Sequence, residues 1–202
     1  TVDKYEQSHG FLESLGSGVS LSSVVTANNY GTSDYDKRFG RLSATTVTQS
    51  QGGLTPVTRN TEFSYYPSNH QNEGMLQSEI VMPQGGCDSY LKTTHSYDAL
   101  GNETAIQTAN LPSCDNVAGQ KHQTRSKSST FDNEGRYAVS TANDLFTEQT
   151  VNSRNKFGQP TAVTDVNGTK AYFQYDVFGS KVSSYSATGA QTSTYMSDCD
   201  SS

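Results

Sequence analysis

The sequence contains no tryptophan and has few charged side chains, few cysteines and no long apolar run. Charged residues make up 17% of its 202 positions, and hydrophobic residues make up 32%, which is low for a globular domain. The net charge of −6 leaves no basic surface to neutralise phosphates, so a nucleic-acid partner is not expected. No apolar stretch approaches the roughly 18–20 residues that cross a bilayer. No charged-then-apolar leader follows Thr1, so we expect any export signal to lie outside this sequence.

Aromatic residues are frequent in the sequence although its total hydrophobic content is low. It contains twelve Tyr and eight Phe, which together make up 10% of the chain. A tyrosine ring packs on a sheet while its hydroxyl reaches water. This composition predicts a thin sheet that carries amphipathic rings, and not a thick aliphatic core.

A regular series of turn motifs runs from Asn155 to Gly189. Each motif has Asp, Asn or Ser first and Gly fourth, and successive glycines are 10, 11 and 10 residues apart. The first side chain can accept hydrogen bonds from the turn backbone, and the glycine can adopt the left-handed conformation of a type I hairpin turn. The pattern therefore predicts alternating strands and turns at a pitch of about ten residues.

Strand-like alternation fills the segments between these turns. In residues 169–175, Ala171, Phe173 and Tyr175 fall on one face, and the residues between them fall on the other. No segment shows a sustained helical period, so we predict an all-β antiparallel meander of repeated hairpins with little or no helix. The reversals are predicted at nine units, namely 28–31, 50–53, 98–101, 116–119, 132–135, 155–158, 165–168, 176–179 and 186–189, with a slipped unit at 36–40 and an unmarked turn at 142–144.

Three of these turns follow an aromatic residue directly and form a repeated motif. The motif resembles the Tyr-Asp signature of YD repeats, which occur in bacterial Rhs proteins. A slipped variant, Tyr35-Asp36-Lys37-Arg38-Phe39-Gly40, lies upstream. Several copies at a period of about twenty residues are more specific than one. The repeat-motif residues are Tyr97, Asp98, Gly101, Phe131, Asp132, Gly135, Tyr175, Asp176 and Gly179.

The resemblance implies a fold and a function. Similar sequences occur in polymorphic toxins, in insecticidal toxin-complex subunits and, more distantly, in teneurins, where the repeats form an antiparallel ribbon that spirals into a hollow shell. The chain would then be a structural shell segment of a secreted or cell-surface bacterial protein, a virulence factor that encloses or presents a toxin. Its partners would be the rest of the parent polypeptide or a toxin cargo. We predict an N-terminal lead-in over 1–29, the repeat array over 30–196 and a C-terminal tail over 197–202.

Two alternatives stay open at this point. The same β repeats could form an extracellular binding module that engages surface carbohydrate or a receptor protein through exposed Tyr, Asn and Gln side chains. An ordinary β-sandwich, in which Tyr and Asp only mark turns, would also account for the pattern.

The sequence offers no catalytic constellation, and we predict no enzyme and no cofactor. It contains no nucleophile elbow and no zinc-protease motif. It also lacks the Asp-Pro motifs of the autoproteolytic core that Rhs proteins often carry, so the resemblance does not extend to that activity. One coincidence suggests a metal: Cys87 and Cys114 each precede a histidine, His95 and His122, by eight residues. The spacing matches no known zinc ligand pattern, and no metal site is predicted.

Cys87 and Cys114 are predicted to form a disulfide. Their midpoint is position 100.5, close to position 99.5 at the centre of the 98–101 turn, so a hairpin folded about that turn would bring the two thiols together. In a reducing cytosol both would stay thiols instead. Cys199 is left without a comparable partner and is predicted to stay free.

Overall fold

The protein is a β-sheet array in which sheet order follows chain order. The computed structural model describes residues 4–9, 22–31 and 40–193, and the side chains of residues 4–9 are outside that description. In the part of the chain that the structure describes, fourteen strands lie in the sheet in chain order, and the neighbouring pairs from β1 to β6 and from β8 to β14 are antiparallel. The strands are β1 (Lys4–His9), β2 (Ser22–Tyr30), β3 (Leu42–Gln51), β4 (Val57–Tyr65), β5 (Leu76–Val81), β6 (Leu91–Tyr97), β7 (Glu103–Ala109), β8 (Thr124–Phe131), β9 (Ala138–Asn143), β10 (Thr147–Arg154), β11 (Pro160–Asp165), β12 (Lys170–Tyr175), β13 (Lys181–Ser186) and β14 (Gln191–Ser193).

This architecture confirms the predicted all-β meander. The helical content of the described residues is one 3₁₀ helix, Pro112–Asn116, in the connection between β7 and β8. None of the described helices is long and apolar enough to cross a bilayer. All of the described strands belong to one hydrogen-bonded sheet, whereas a β-sandwich has two facing sheets.

Few side chains are fully buried, as the low hydrophobic content predicts. Among the described residues, the buried apolar side chains are Cys114, Ala162 and Val163. Most strand residues are half-buried, and several large apolar residues at turn tips are exposed. The sheet is therefore held by its backbone ladder and by cross-strand pairs, and not by a thick core.

The chain divides into two compact units. The first comprises Thr1–His95 and Gln107–Thr124, and the second comprises Ser96–Ile106 and Arg125–Ser202. The first contains the long strands β2 and β3, which pair over nine positions from Ser22 to Tyr30. The second contains the short, evenly spaced strands β9 to β14 that the ten-residue pitch predicts. The lead-in, array and tail boundaries stay predictions, although β1 and most of β2 lie inside the predicted lead-in.

A β-bulge recurs beside the aromatic residue that ends a strand. The register shifts by one residue immediately before Tyr30, Tyr65, Phe131 and Tyr175. A bulge bends its strand and redirects the side chain next to it. Tyr65, Phe131 and Tyr175 therefore stand at the same point relative to a register shift, at the last residue of their strands.

Six of the nine predicted units form hairpin turns at the predicted positions. In each, the glycine N–H donates to the carbonyl of the first residue. The unmarked turn is also present, one residue later, with Asn143 N–H donating to Phe146 O. The six units are 98–101, 132–135, 155–158, 165–168, 176–179 and 186–189.

The other predicted turns need correction. The 28–31 prediction is wrong, because Asn28 lies inside β2 and its Oδ1 accepts a hydrogen bond from Thr45 Oγ1 across the sheet at 2.9 Å. The 50–53 turn is shifted by one residue, since Leu54 N–H donates to Gln51 O. The 116–119 unit lies within a longer connection and joins no strands directly. The slipped 36–40 unit lies, except for Gly40, outside the described residues.

Candidate functional site

Each motif turn is closed by its aspartate. Asp98 directly follows β6, and its Oδ1 accepts hydrogen bonds from the backbone N–H groups of Leu100 and Asn102, both at 2.9 Å. The Gly101 N–H donates to Asp98 O at 3.2 Å. Together these bonds form a type I turn followed by a glycine in the left-handed region, which reverses an antiparallel pair.

The other two motif aspartates bond in a similar way. Asp176 Oδ1 accepts from Phe178 N at 2.9 Å and from Ser180 N at 2.8 Å. Asp132 Oδ1 accepts from Arg136 N at 2.7 Å. The motif aspartates are therefore occupied by the turn backbone, as the sequence predicts, and they are not arranged as paired catalytic carboxylates.

The pKa of Asp98 is lowered below its ordinary value of 3.8. The largest cause is the hydrogen bond from the Asn102 side-chain amide to Asp98 Oδ2, at 3.0 Å, and backbone N–H donors add to it. Both interactions stabilise the charged carboxylate. The turn is thus most stable when Asp98 is ionised.

The aromatic residues that end strands reach back to the strand before. Tyr175 donates its hydroxyl to Pro160 O at 2.9 Å, which is the first residue of the neighbouring β11. Tyr65 donates in the same way to Leu42 O at 2.9 Å, the first residue of β3. The tyrosine hydroxyl therefore satisfies a carbonyl at the point where the preceding strand starts. Tyr97 and Phe131 end β6 and β8 at the corresponding positions, and Phe131 has no hydroxyl with which to donate.

Arg154 takes the same position in β10. One guanidinium nitrogen donates to Ala138 O, the first residue of β9, and another donates to Gly158 O at 2.7 Å. Sequence reasoning missed this residue because it looked for an aromatic ring. The signal was present, since Arg154 directly precedes the 155–158 unit just as Tyr175 precedes the 176–179 unit.

Successive motif-end turns, which we define as 98–101, 132–135, 155–158 and 176–179, are linked to one another. Asn102, which follows the first turn, donates its side-chain amide to Gly135 O of the second at 2.9 Å. Gln159, which follows the third turn, donates to Gly179 O of the fourth at 2.7 Å. We call this series of contacts the turn ladder.

The middle step of the turn ladder is made by an aromatic ring. The Tyr137 ring, two residues after Gly135, lies against Gly158 and fills the space that a Cβ atom would need there. The Arg154 guanidinium lies over the same ring, 4.9 Å from its centroid. In the first unit, the Arg41 side chain occupies the equivalent space beside Gly74.

The glycines of the turns at the other end of these hairpins, Gly168 and Gly189, have no neighbouring side chain packed against them. Gly168 also has a positive φ of +77°, but no atom lies within 4 Å of the position of its absent Cβ. Gly158 has a φ of +82° and is closely approached by Tyr137. The motif-end glycine at 158 is therefore required for two reasons, its backbone conformation and the approach of a neighbouring turn, whereas Gly168 is required for the first alone.

A disulfide links two loops in the first unit. It joins Cys87, in the connection between β5 and β6, to the fully buried Cys114, with their Cα atoms 5.6 Å apart. Both residues lie beyond the strand ends, as the sequence predicts. Cys199 lies outside the described residues.

No metal-binding cluster is found among the residues that the structure describes. No group of three His, Cys, Asp or Glu side chains there could hold a metal ion. The suggested pairing of Cys87 and Cys114 with His95 and His122 does not form a zinc site, because both thiols are consumed by the disulfide.

Similarity to known proteins is found among solved structures. No family model matches the sequence, and no curated protein matches it. Among solved structures, the chain is similar to a chain of the crystal structure of TcdB2-TccC3-Cdc42, with 12% identity and a TM-score of 0.41. The match covers 90% of this chain and 14% of that one, so this chain spans about a seventh of the neighbour's length.

Proposed function

We propose that the chain is a structural segment of a secreted or cell-surface shell of the YD-repeat type, which encloses or presents a toxin. The turn ladder carries this proposal. Each motif-end turn supports the next through a residue of its own, so the unit can be extended by adding hairpins without a closed core. The repeated Tyr-Asp motifs, with their resemblance to Rhs proteins, supply the link to toxins.

The proposal assigns no catalytic step to this chain. The motif aspartates accept hydrogen bonds from the turn backbone, which supports a structural role for them. We therefore expect no hydrolase, transferase or redox turnover from the purified chain. Autocleavage that disappears when a single turn aspartate is replaced would contradict this expectation.

The parent polypeptide provides the experiment. An antibody raised against this chain should detect, in medium or on the surface of the producing cells, a much larger polypeptide that contains it. Limited proteolysis of that polypeptide should leave a resistant shell and protect an enclosed segment until the shell is denatured. Detection of the sequence solely in an intracellular protein, or a parent polypeptide with no protected segment, would contradict the proposal.

A further inference from the structure

An amine, an amide and a carboxylate meet where β8, β9 and β10 lie side by side. Lys127 of β8 is directly opposite Asn143 of β9 in the antiparallel register. Residues paired in this way have Cβ atoms about 4.5–5.5 Å apart, and their side chains stand on the same face of the sheet. Glu148 of β10 contacts both of them: its Oε2 lies 3.8 Å from Lys127 Nζ, and its Oε1 accepts a hydrogen bond from Asn143 Nδ2 at 3.2 Å.

A β-bulge places the carboxylate at this point. Thr147 pairs with Ala142 and Gln149 pairs with Thr141, which are consecutive residues of β9. Glu148 is therefore the additional residue of β10 at the register shift. A bulge interrupts the regular alternation of a strand and redirects a side chain. The Glu148 carboxylate thereby reaches across β9 to the lysine on β8.

The side-chain carbonyl of Asn143 is held by two backbone donors. Its Oδ1 accepts hydrogen bonds from Leu145 N–H at 2.9 Å and from Phe146 N–H at 3.1 Å. Such bonds close a chain reversal, as Asn side chains commonly do at turns. They also polarise the Asn143 amide and would stabilise the negative charge that develops on Oδ1 when a nucleophile attacks Cγ.

We propose that Lys127 and Asn143 become joined by an isopeptide bond, with Glu148 as the catalytic residue. The neutral Lys127 amine attacks Asn143 Cγ, and a C–N bond forms while Oδ1 takes the negative charge. Glu148 moves one proton from Nζ to Nδ2, the Cγ–Nδ2 bond breaks, and ammonia leaves. The step consumes no other reagent. It occurs once in each chain, so it is not enzymatic turnover, and it cross-links β8 to β9 independently of the shell role.

The exposure of the reacting groups determines how the reaction depends on pH. The Lys127 side chain is 58% exposed and the Glu148 side chain is 37% exposed, so water reaches both. Only a neutral amine attacks a carbonyl carbon, and a solvated lysine is mostly protonated near neutral pH. Formation of the bond should therefore become faster as the pH is raised from about 7 to about 9. It should require the folded chain, in which the two groups are held together.

Mass spectrometry of the purified full chain tests the proposal. After incubation at a pH of about 9, the intact chain should lose the mass of one ammonia. A tryptic digest should contain one branched peptide in which Lys127 is linked to Asn143. Glu148→Gln keeps the size of the side chain but removes the base, and it should slow formation by about a hundredfold or more. Glu134→Gln, which removes the carboxylate of the Arg136 ion pair in the same unit, is the matched control and should form the bond at the original rate.

A lysine variant identifies the source of the ammonia. Lys127→Arg keeps the positive charge but has no amine that can form the bond, so it should retain its full mass. Cyclisation of an asparagine onto its own backbone would also release ammonia, but it would continue in this variant. Circular dichroism checks that every variant is folded. The proposal is overturned if the folded full chain keeps its full mass, if ammonia loss persists in Lys127→Arg, or if Glu148→Gln forms the bond as fast as the full chain.

Discussion

At the residue scale, the glycines that close the turns differ in their surroundings. Gly158 is covered by the Tyr137 ring, whereas Gly168 faces open space. Both have a positive φ, which an L-residue adopts at a cost of about 1–2 kcal/mol. A methyl group at position 158 must also displace the Tyr137 ring, over which the Arg154 guanidinium lies.

The first prediction compares alanine at these two positions. Gly168→Ala should destabilise the protein by about 1–2 kcal/mol through backbone strain alone. Gly158→Ala should cost about 1–3 kcal/mol more, because the new methyl group overpacks the turn ladder. Urea unfolding, followed by circular dichroism, measures both. Equal losses of unfolding free energy for the two variants would show that Tyr137 does not restrict this position.

The second prediction concerns acid. The pKa of Asp98 in the folded protein lies below its ordinary value of 3.8, chiefly because the Asn102 amide donates to the carboxylate. The resulting stabilisation is present above the pKa of the unfolded state and is lost as the pH falls through the folded value. Asn102→Ala should raise the pKa of Asp98 in an NMR titration, and Asp98→Asn should flatten the acid limb of the stability curve. An Asp98 pKa unchanged by Asn102→Ala would contradict this assignment of cause.

At the element scale, the last third of the chain could be predicted well from its sequence. The strand β12 and the turns on both sides of it follow from alternation and from Asp and Gly spacing, which are local properties. The 28–31 error has a physical cause: Asn28 has the composition of a turn residue, but its side chain bonds Thr45, seventeen residues away, and this contact leaves no local signal.

The turn ladder could not be predicted for the same reason. Asn102 and Gly135, or Gln159 and Gly179, are twenty or more residues apart, and the contact depends on how consecutive hairpins stack. The sequence shows that each glycine is needed for its own turn. It does not show that the preceding turn covers it.

The third prediction concerns the disulfide between Cys87, in the loop between β5 and β6, and Cys114, in the connection between β7 and β8. Mass mapping of the unreduced protein should recover a peptide pair joined through Cys87 and Cys114. Removing the bond by Cys87→Ser with Cys114→Ser should reduce the free energy of unfolding by about 3–4 kcal/mol in the loop-entropy model. Free thiols at both positions, or a bridge from either one to Cys199, would contradict the pairing of these loops.

At the scale of the whole molecule, the strands pair with their neighbours in the chain. Sheet order equals chain order, and the chain divides into two compact units. In arrays of this kind, stability is approximately a sum of repeat and nearest-neighbour contributions, so a local change acts locally.

The fourth prediction uses native-state hydrogen exchange to test this locality. Gly158→Ala should speed amide exchange in β9 to β12 and leave β3 to β5 unchanged. Loss of the Cys87–Cys114 disulfide should speed amide exchange in β3 to β5 and leave β9 to β12 unchanged, because both cysteines lie in the first unit. If either change raised exchange uniformly across the described strands, the array would behave as one cooperative block and not as a series of hairpins.

The turn ladder is the central feature of this account, and an NMR measurement on Tyr137 and Gly158 tests it most directly. With Tyr ring protons and Gly α-protons observed selectively, nuclear Overhauser effects should connect the Tyr137 ring to the α-protons of Gly158, whose shifts should differ from those of the uncovered Gly168. These effects should vanish in Tyr137→Ala. The absence of any Overhauser effect between Tyr137 and Gly158 in the folded protein would show that successive motif-end turns do not support one another.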